Sequence, residues 1–188
     1  MNQATFMNTI TVKRASFLSS NYSVFLNGNE PAYSATVKFT LSDPKEIILN
    51  PASNRPDEAI HMKPVSEKKT GYGERTEYSL QKGNGEFFGF LAIEGRVNPT
   101  IRLLDEKGAE LGVLKEKNAF YSIIRSLLRK ILPNYYTCKN QGATIFTATE
   151  VYTPVMCSVK LEVNQAVHKR MDEFVVCAGL WIACTPSF

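Results

Sequence analysis

Histidine and cysteine are scarce in this sequence, and neither occurs in a pattern that supports metal binding. The 188 residues include two histidines and four cysteines. The histidines are His61 and His168, and the cysteines are Cys138, Cys157, Cys177 and Cys184. No two cysteines form a C-x-x-C pair, so the ligands of a zinc site cannot be assembled. We expect reduced, mostly buried thiols and no metal or other cofactor.

The sequence also lacks the motifs of common enzyme classes. It contains no G-x-S-x-G, no H-E-x-x-H, no phosphate-binding loop and no dinucleotide fingerprint. The catalytic combination that remains possible is a Cys–His pair such as Cys157 with His168, but nothing in the sequence orients either side chain. We therefore predict that the protein is not an enzyme.

No hydrophobic run is long enough for a membrane span. The longest, residues 174–184, has eleven residues, whereas a spanning helix needs about 20. The first ten residues have neither a basic start nor an apolar core, so they do not resemble a signal peptide. The net charge is +4, which does not indicate a specific nucleic-acid partner. We expect one cytoplasmic domain spanning residues 1–188.

The sequence does contain many short segments with the alternating pattern of β-strands. Turns rich in Gly, Asn, Asp and Pro separate them. The predicted strands are residues 9–13, 22–26, 32–41, 45–50, 58–63, 74–81, 86–93, 100–104, 110–115, 135–138, 144–149 and 155–163. Such even spacing is typical of a sandwich or a barrel. Apart from the weak strand at 58–63, residues 50–70 contain three prolines and mixed charge, and we expect them to be irregular.

Two segments follow a helical period instead. Residues 118–132 carry apolar side chains at intervals of three and four, with Arg125, Arg129 and Lys130 on the other face. Residues 172–184 begin with two acidic residues and are then apolar on every side. That pattern predicts a helix buried inside a closed sheet, and a buried strand is the alternative.

Four segments resemble the tubby C-terminal-like superfamily, and within it the LURP-one-related and phospholipid scramblase-like branch. They are the strand–turn–strand of residues 20–39, the hairpin T-I-R-L-L-D-E-K-G-A-E-L-G-V-L-K of residues 100–115, the strand at 143–149 and the apolar C-terminal helix. The resemblance covers nearly the whole chain. It implies a mainly β fold: a closed antiparallel barrel of about twelve strands that encloses the C-terminal helix. The segment 118–132 would be an additional amphipathic surface helix.

The same resemblance implies a role in binding phospholipid or phosphoinositide headgroups, or as a membrane-associated adaptor. The acidic calcium-binding segment of true scramblases is not visible, so we do not expect scramblase activity. Residues 113–139 have a local charge of +5, which suits an anionic membrane surface. The candidate lipid-binding residues are Lys115, Lys117, Arg125, Arg129 and Lys130.

Three alternatives stay open at this point. The apolar face of residues 118–132 could pack on the barrel and leave the arginines in solvent. The protein could instead be a protein–protein interaction module that presents residues 50–70 and the amphipathic segment 118–132 to a protein partner. It could also be a small-ligand carrier or an enzyme that uses a cavity in the barrel. The sequence does not indicate the oligomeric state.

Overall fold

The chain forms a closed antiparallel barrel. The computed structural model describes residues 8–14, 19–40, 43–70, 73–95, 99–117, 134–152, 157–164 and 168–184. Twelve strands follow one another in chain order around the barrel, and β1 pairs with β12 to close it. The strands are β1 Asn8–Arg14, β2 Asn21–Leu26, β3 Pro31–Thr40, β4 Asp43–Pro51, β5 Ile60–Thr70, β6 Gly73–Lys82, β7 Phe87–Glu94, β8 Thr100–Asp105, β9 Glu110–Glu116, β10 Asn134–Asn140, β11 Ala143–Tyr152 and β12 Cys157–Val163. The predicted fold class is confirmed.

Alternation along each strand decides which side chains fill the barrel. In β12, Val159, Leu161 and Val163 are buried, while Lys160 between them is exposed. Successive side chains of a strand point to opposite faces of the sheet, so the buried set lies inside and the polar set outside. The pattern repeats in β1, where Val12 is fully buried. The barrel therefore has an apolar interior and a polar outer wall.

The helix α1, Met171–Cys184, lies within this barrel. Near its start the ring of Phe174 packs edge-on against Phe88 of β7, with centroids 5.5 Å apart. Further along, Gly179 faces Leu161 of β12 and Val12 of β1. Strand β7 lies on the opposite side of the barrel from β12 and β1. The predicted buried helix is thus confirmed, and the alternative of a buried strand is wrong.

The two ends of the barrel are distinguished by the direction of α1. At the entry end, where α1 begins, the hairpin turns at 83–86, 106–109 and 141–142 connect neighbouring strands. At the exit end, where α1 finishes, the thiol of Cys184 lies beside the hydroxyl of Tyr22 near the start of β2. Strand β9 also ends, and β10 begins, at the exit end.

One part of the sequence-based prediction is wrong. Residues 50–70 are not mainly irregular, because β5 occupies eleven of them and pairs with β6 as far as Thr70 opposite Gly73. Only a short 3-10 turn, Pro56–Glu58, and its flanking residues interrupt the strands. The alternation of β5 is broken by a bulge between Pro64 and Ser66. A bulge shifts the side-chain alternation, and proline lacks the N–H of a ladder bond, which explains why the segment does not look like a strand.

The predicted amphipathic helix at 118–132 lies outside the described residues. The described chain stops at residue 117 and resumes at residue 134, and both positions are at the exit end. Within the described residues, no helix combines the length and apolar character needed to cross a membrane.

Candidate functional site

Strand β9 and the residue after it place two of the predicted lipid-binding residues on the outside of the barrel. Lys115 and Lys117 are exposed, whereas Leu114 is fully buried in the core. Residues two apart in a strand share a face, so both ammonium groups lie on the outer wall. The backbone N–H of Lys117 donates to the carbonyl oxygen of Tyr135 on β10, at 2.7 Å. The alternation of β9 therefore puts two lysines at the surface of the exit end.

A row of outward side chains continues from Lys117 across five further strands. The backbone register places the following residues side by side in order: Lys117, Tyr135, Thr149, Lys160, Thr11 and Phe25. Directly opposed residues on adjacent strands have their Cβ atoms about 4.5–5.5 Å apart. Side chains from β9, β10, β11, β12, β1 and β2 thus form one continuous surface.

A second row, one step nearer the exit end, adds another lysine. Val151 of β11 lies opposite Ser158 of β12, and Ser158 lies opposite Lys13 of β1. The ammonium nitrogen of Lys13 is 4.8 Å from the centroid of the Phe25 ring, a cation–π distance. Lys13 is also a diagonal neighbour of Lys160, at about 7–8 Å. We refer to Lys13, Lys115, Lys117 and Lys160 as the basic face.

The positive charge of the basic face is largely uncompensated. Lys160 pairs with Glu162 at 2.7 Å, and the two side chains are 53% and 36% exposed. Across the described strands, no ion pair involves Lys13, Lys115 or Lys117. Exposed ammonium groups without a carboxylate neighbour generate a positive surface potential. The basic face is therefore suited to attract an anionic partner.

The rest of the barrel wall, from β3 to β8, differs from the basic face in the ion pairing of its lysines and arginines. Four of its basic residues, Lys38, Lys63, Arg75 and Arg102, pair with carboxylates along the outer surface. The ion pairs are Lys38–Glu46, Lys63–Glu46, Arg75–Glu77, Arg75–Glu94, Arg102–Glu94 and Arg102–Glu110. Hydrogen bonds from Lys38 and Lys63 lower the pKa of Glu46 and keep it ionised. These pairs neutralise the charge of those four residues, whereas Lys13, Lys115 and Lys117 of the basic face form no ion pair among the described residues.

The structure brings only part of the predicted site together. Lys115 and Lys117 lie on the basic face, whereas Arg125, Arg129 and Lys130 are outside the described residues. The reasoning from sequence missed Lys13 and Lys160, which belong to the basic face through the pairing of β1 with β12. A signal for them was present, because Lys160 stands between the buried Val159 and Leu161, and Lys13 follows the buried Val12 in an alternating segment.

The structure does not bring a Cys–His pair together. The thiol of Cys157 donates to Oε1 of Glu150 at 3.6 Å, near the exit end. Burial, reinforced by the charge of Glu150, raises the pKa of Cys157 to about 12. The ring of His168 lies 5.9 Å from that of Phe174, at the entry end. Most of the length of α1 separates the two groups, and the thiol is protonated at neutral pH, so it is a poor nucleophile.

The buried carboxylate of Glu150 has polar partners within the barrel wall. Its Oε2 accepts a hydrogen bond from Nδ2 of Asn134 at 2.5 Å, and both residues are about 1% exposed. Within the described ranges, no group of three or more His, Cys, Asp or Glu side chains is arranged to hold a metal ion. The Glu150 cluster is thus a hydrogen-bonded polar group within the core.

Fold and surface together define a class: a closed twelve-stranded antiparallel barrel around a buried C-terminal helix, with a basic face on its outer wall. Comparison with protein-family models, curated proteins and solved structures finds no match to this chain.

Proposed function

We propose that this chain is a non-catalytic tubby-like domain of the LURP-one-related and scramblase-like branch. It binds anionic phospholipid headgroups, phosphoinositides among them, as a peripheral protein on a cytoplasmic membrane surface. The twelve-stranded barrel and its enclosed helix support the assignment, because the resemblance in sequence implies that architecture. A fold hosts many functions, so the function must be argued from the surface.

The observation that carries the proposal is the basic face. Four lysines, on β1, on β12, on β9 and directly after β9, project from one side of the barrel, and three of them form no ion pair among the described residues. Near an anionic leaflet each basic residue contributes about 1 kcal/mol of attraction. Arg125, Arg129 and Lys130 follow Lys117 in the sequence and would extend the same charge. The set is large enough to hold a protein reversibly at a membrane surface.

The alternative functions have less support. A carrier or an enzyme working from the barrel cavity needs an accessible lumen, and α1 occupies the interior with twelve buried residues. A protein–protein interaction module could use the basic face for an acidic partner. A requirement for anionic lipid in the experiment below separates that function from the proposed one.

Vesicle sedimentation tests the proposal. The vesicles contain phosphatidylcholine alone, or phosphatidylcholine with phosphatidylserine or a phosphoinositide. We expect the wild type to sediment with the anionic vesicles and not with the neutral ones. Reversing two charges in K115E/K117E should weaken binding about tenfold or more, because it replaces attraction by repulsion.

The matched control is K107E/K169E. It makes the same change in net charge with two exposed lysines at the entry end, one in the turn 106–109 and one just before α1. We expect it to bind anionic vesicles like the wild type. Equal binding of neutral and anionic vesicles, or equal losses in the two double variants, would contradict headgroup binding through the basic face.

A further inference from the structure

Two apolar side chains are exposed within the area of the basic face. Tyr135 of β10 is 51% exposed and Val151 of β11 is 41% exposed. Tyr135 lies opposite Thr149, so Val151 is two residues further along β11 and is a diagonal neighbour on the same outer face. In the described part of the chain, the other large apolar residues with comparable exposure are on β2, β3 and β5: Leu26, Phe39 and Val65.

Lysines flank this apolar pair on both sides. Lys117, the residue after β9, lies beside Tyr135 of β10. Beyond Val151 and Thr149, on the other side, are Lys13 and Lys160. The surface is therefore apolar at its centre and cationic at its edges. A bilayer interface has the complementary chemistry, because its phosphates lie above the start of the acyl chains.

Tyrosine is well suited to that boundary. Its ring is apolar, its hydroxyl remains hydrated, and it is enriched where membrane proteins meet the headgroup layer. Val151 adds a purely apolar contact that a soluble anion would not use. The arrangement fits an extended anionic surface with an apolar layer beneath it, and a free phosphate compound offers no such layer.

We infer that Tyr135 and Val151 insert into the interfacial layer of an anionic bilayer while the basic face contacts the surrounding phosphates. This inference rests on the proposed function and adds a mode of binding to it. The barrel would meet the membrane with the outer wall of β9 to β1 near the exit end. Binding then has an electrostatic part, which salt screens, and an apolar part, which salt does not weaken.

Sedimentation with phosphatidylserine-containing vesicles at two salt concentrations tests the insertion. The Debye length falls from about 10 Å at 0.1 M salt to about 3 Å at 1 M. We expect the wild type to keep measurable binding at the higher salt. Y135S/V151S should bind about tenfold more weakly there, since it loses the apolar contact.

The control is F39S/V65S, which removes an aromatic ring and a valine of similar exposure, 38% and 55%, from β3 and β5. It should behave like the wild type at both salt concentrations. A second measurement uses Y135W. The natural chain has one tryptophan, Trp181, and it is buried in α1. Brominated lipid should therefore quench the added Trp in Y135W and leave the fluorescence of the wild type unchanged.

The outcomes are distinguishable. Loss of high-salt binding in Y135S/V151S alone, with quenching of Y135W, supports insertion. Equal binding of Y135S/V151S and wild type at both salts, or an unquenched Y135W bound to vesicles, overturns insertion and leaves binding by the lysines intact. A wild type that does not sediment with anionic vesicles at low salt overturns both the insertion and the proposed function.

Discussion

Phe174 of α1 packs directly on Gly89 of β7. A Cβ atom built on Gly89 would lie 2.6 Å from Cζ of Phe174 and 2.3 Å from the carbonyl oxygen of Leu104. The φ of Gly89 is 150°, a conformation that glycine adopts far more readily than other residues. The start of the helix therefore rests on bare backbone of the barrel wall.

This contact predicts that Gly89→Ala lowers the free energy of unfolding by at least about 2 kcal/mol, from backbone strain and overpacking together. The control is Gly108→Ala, at a φ of 82° with no atom within 4 Å of the added Cβ. That variant should cost about 1 kcal/mol, from strain alone. Urea unfolding of both variants measures the difference. Equal losses in the free energy of unfolding would show that the barrel wall can shift to accommodate the added methyl group of Gly89→Ala.

The enclosure of α1 predicts a strong effect at Leu180, which is fully buried. Leu180→Asp should prevent folding, because an unpaired buried carboxylate costs several kcal/mol and a whole domain is stable by only about 5–15 kcal/mol. Val65→Asp, at a side chain that is 55% exposed, should fold. Circular dichroism and size-exclusion chromatography distinguish the two. A folded Leu180→Asp protein would contradict the burial of the helix.

The thiols predict how stability depends on alkaline pH. Burial raises the pKa of Cys177 to about 12, whereas an unfolded thiol titrates near 8.5. The folded protein keeps this proton at pH values where the unfolded chain has lost it. The stabilising contribution is complete below about pH 8.5 and is lost as the pH rises toward 12.

We therefore expect the stability difference between the wild type and Cys177→Ala to decrease from about pH 8.5 upward. Urea midpoints measured at a series of pH values provide the test. If the stabilities of the wild type and Cys177→Ala change in parallel with pH, the pKa of Cys177 is the same in the folded and unfolded protein. A thiol reagent at neutral pH should also react slowly with the native protein and reach all four free cysteines only after denaturation.

The segment 118–132 carries a prediction that comes from sequence alone. If the basic side of this segment meets anionic lipid, R125E/R129E should abolish vesicle binding and leave thermal stability nearly unchanged, since exposed charges contribute little to folding. If the segment only packs on the barrel, the double reversal should change neither property. Leu127→Ala distinguishes packing from membrane contact. If the apolar face packs on the barrel, as we expect, this change lowers stability by about 2–5 kcal/mol. Unchanged vesicle binding in R125E/R129E would show that Arg125 and Arg129 do not contribute to membrane binding.

The fold could be predicted closely because most strands alternate cleanly. Strand β12, with Val159, Leu161 and Val163 inside, is an example, and the all-apolar α1 could be placed inside a closed sheet from composition alone. The second half of β5 could not be predicted. Strand β5 stays paired with β6 on both sides of a bulge at Pro64, but the bulge and the proline interrupt the side-chain alternation from which a strand is predicted.

The candidate site could likewise be predicted only in part, because some of its residues are close in sequence and others meet only through strand pairing. Lys115 and Lys117 are close in sequence, so a charge count finds them. Lys13 and Lys160 come from opposite ends of the chain and meet only because β1 closes the barrel on β12. Alternation predicts that each points outward, but no local pattern indicates which strands become neighbours.

The most direct test of the central proposal is to map which wall of the barrel meets the lipid. Paramagnetic relaxation of the backbone amide signals by a headgroup spin label, in nanodiscs containing phosphatidylserine, reports that distance residue by residue. The account predicts the strongest broadening at Lys13, Lys117, Tyr135, Val151 and Ser158, with little effect at the turns of the entry end. Broadening centred on those turns or on β3 to β6, or none at all, would contradict it.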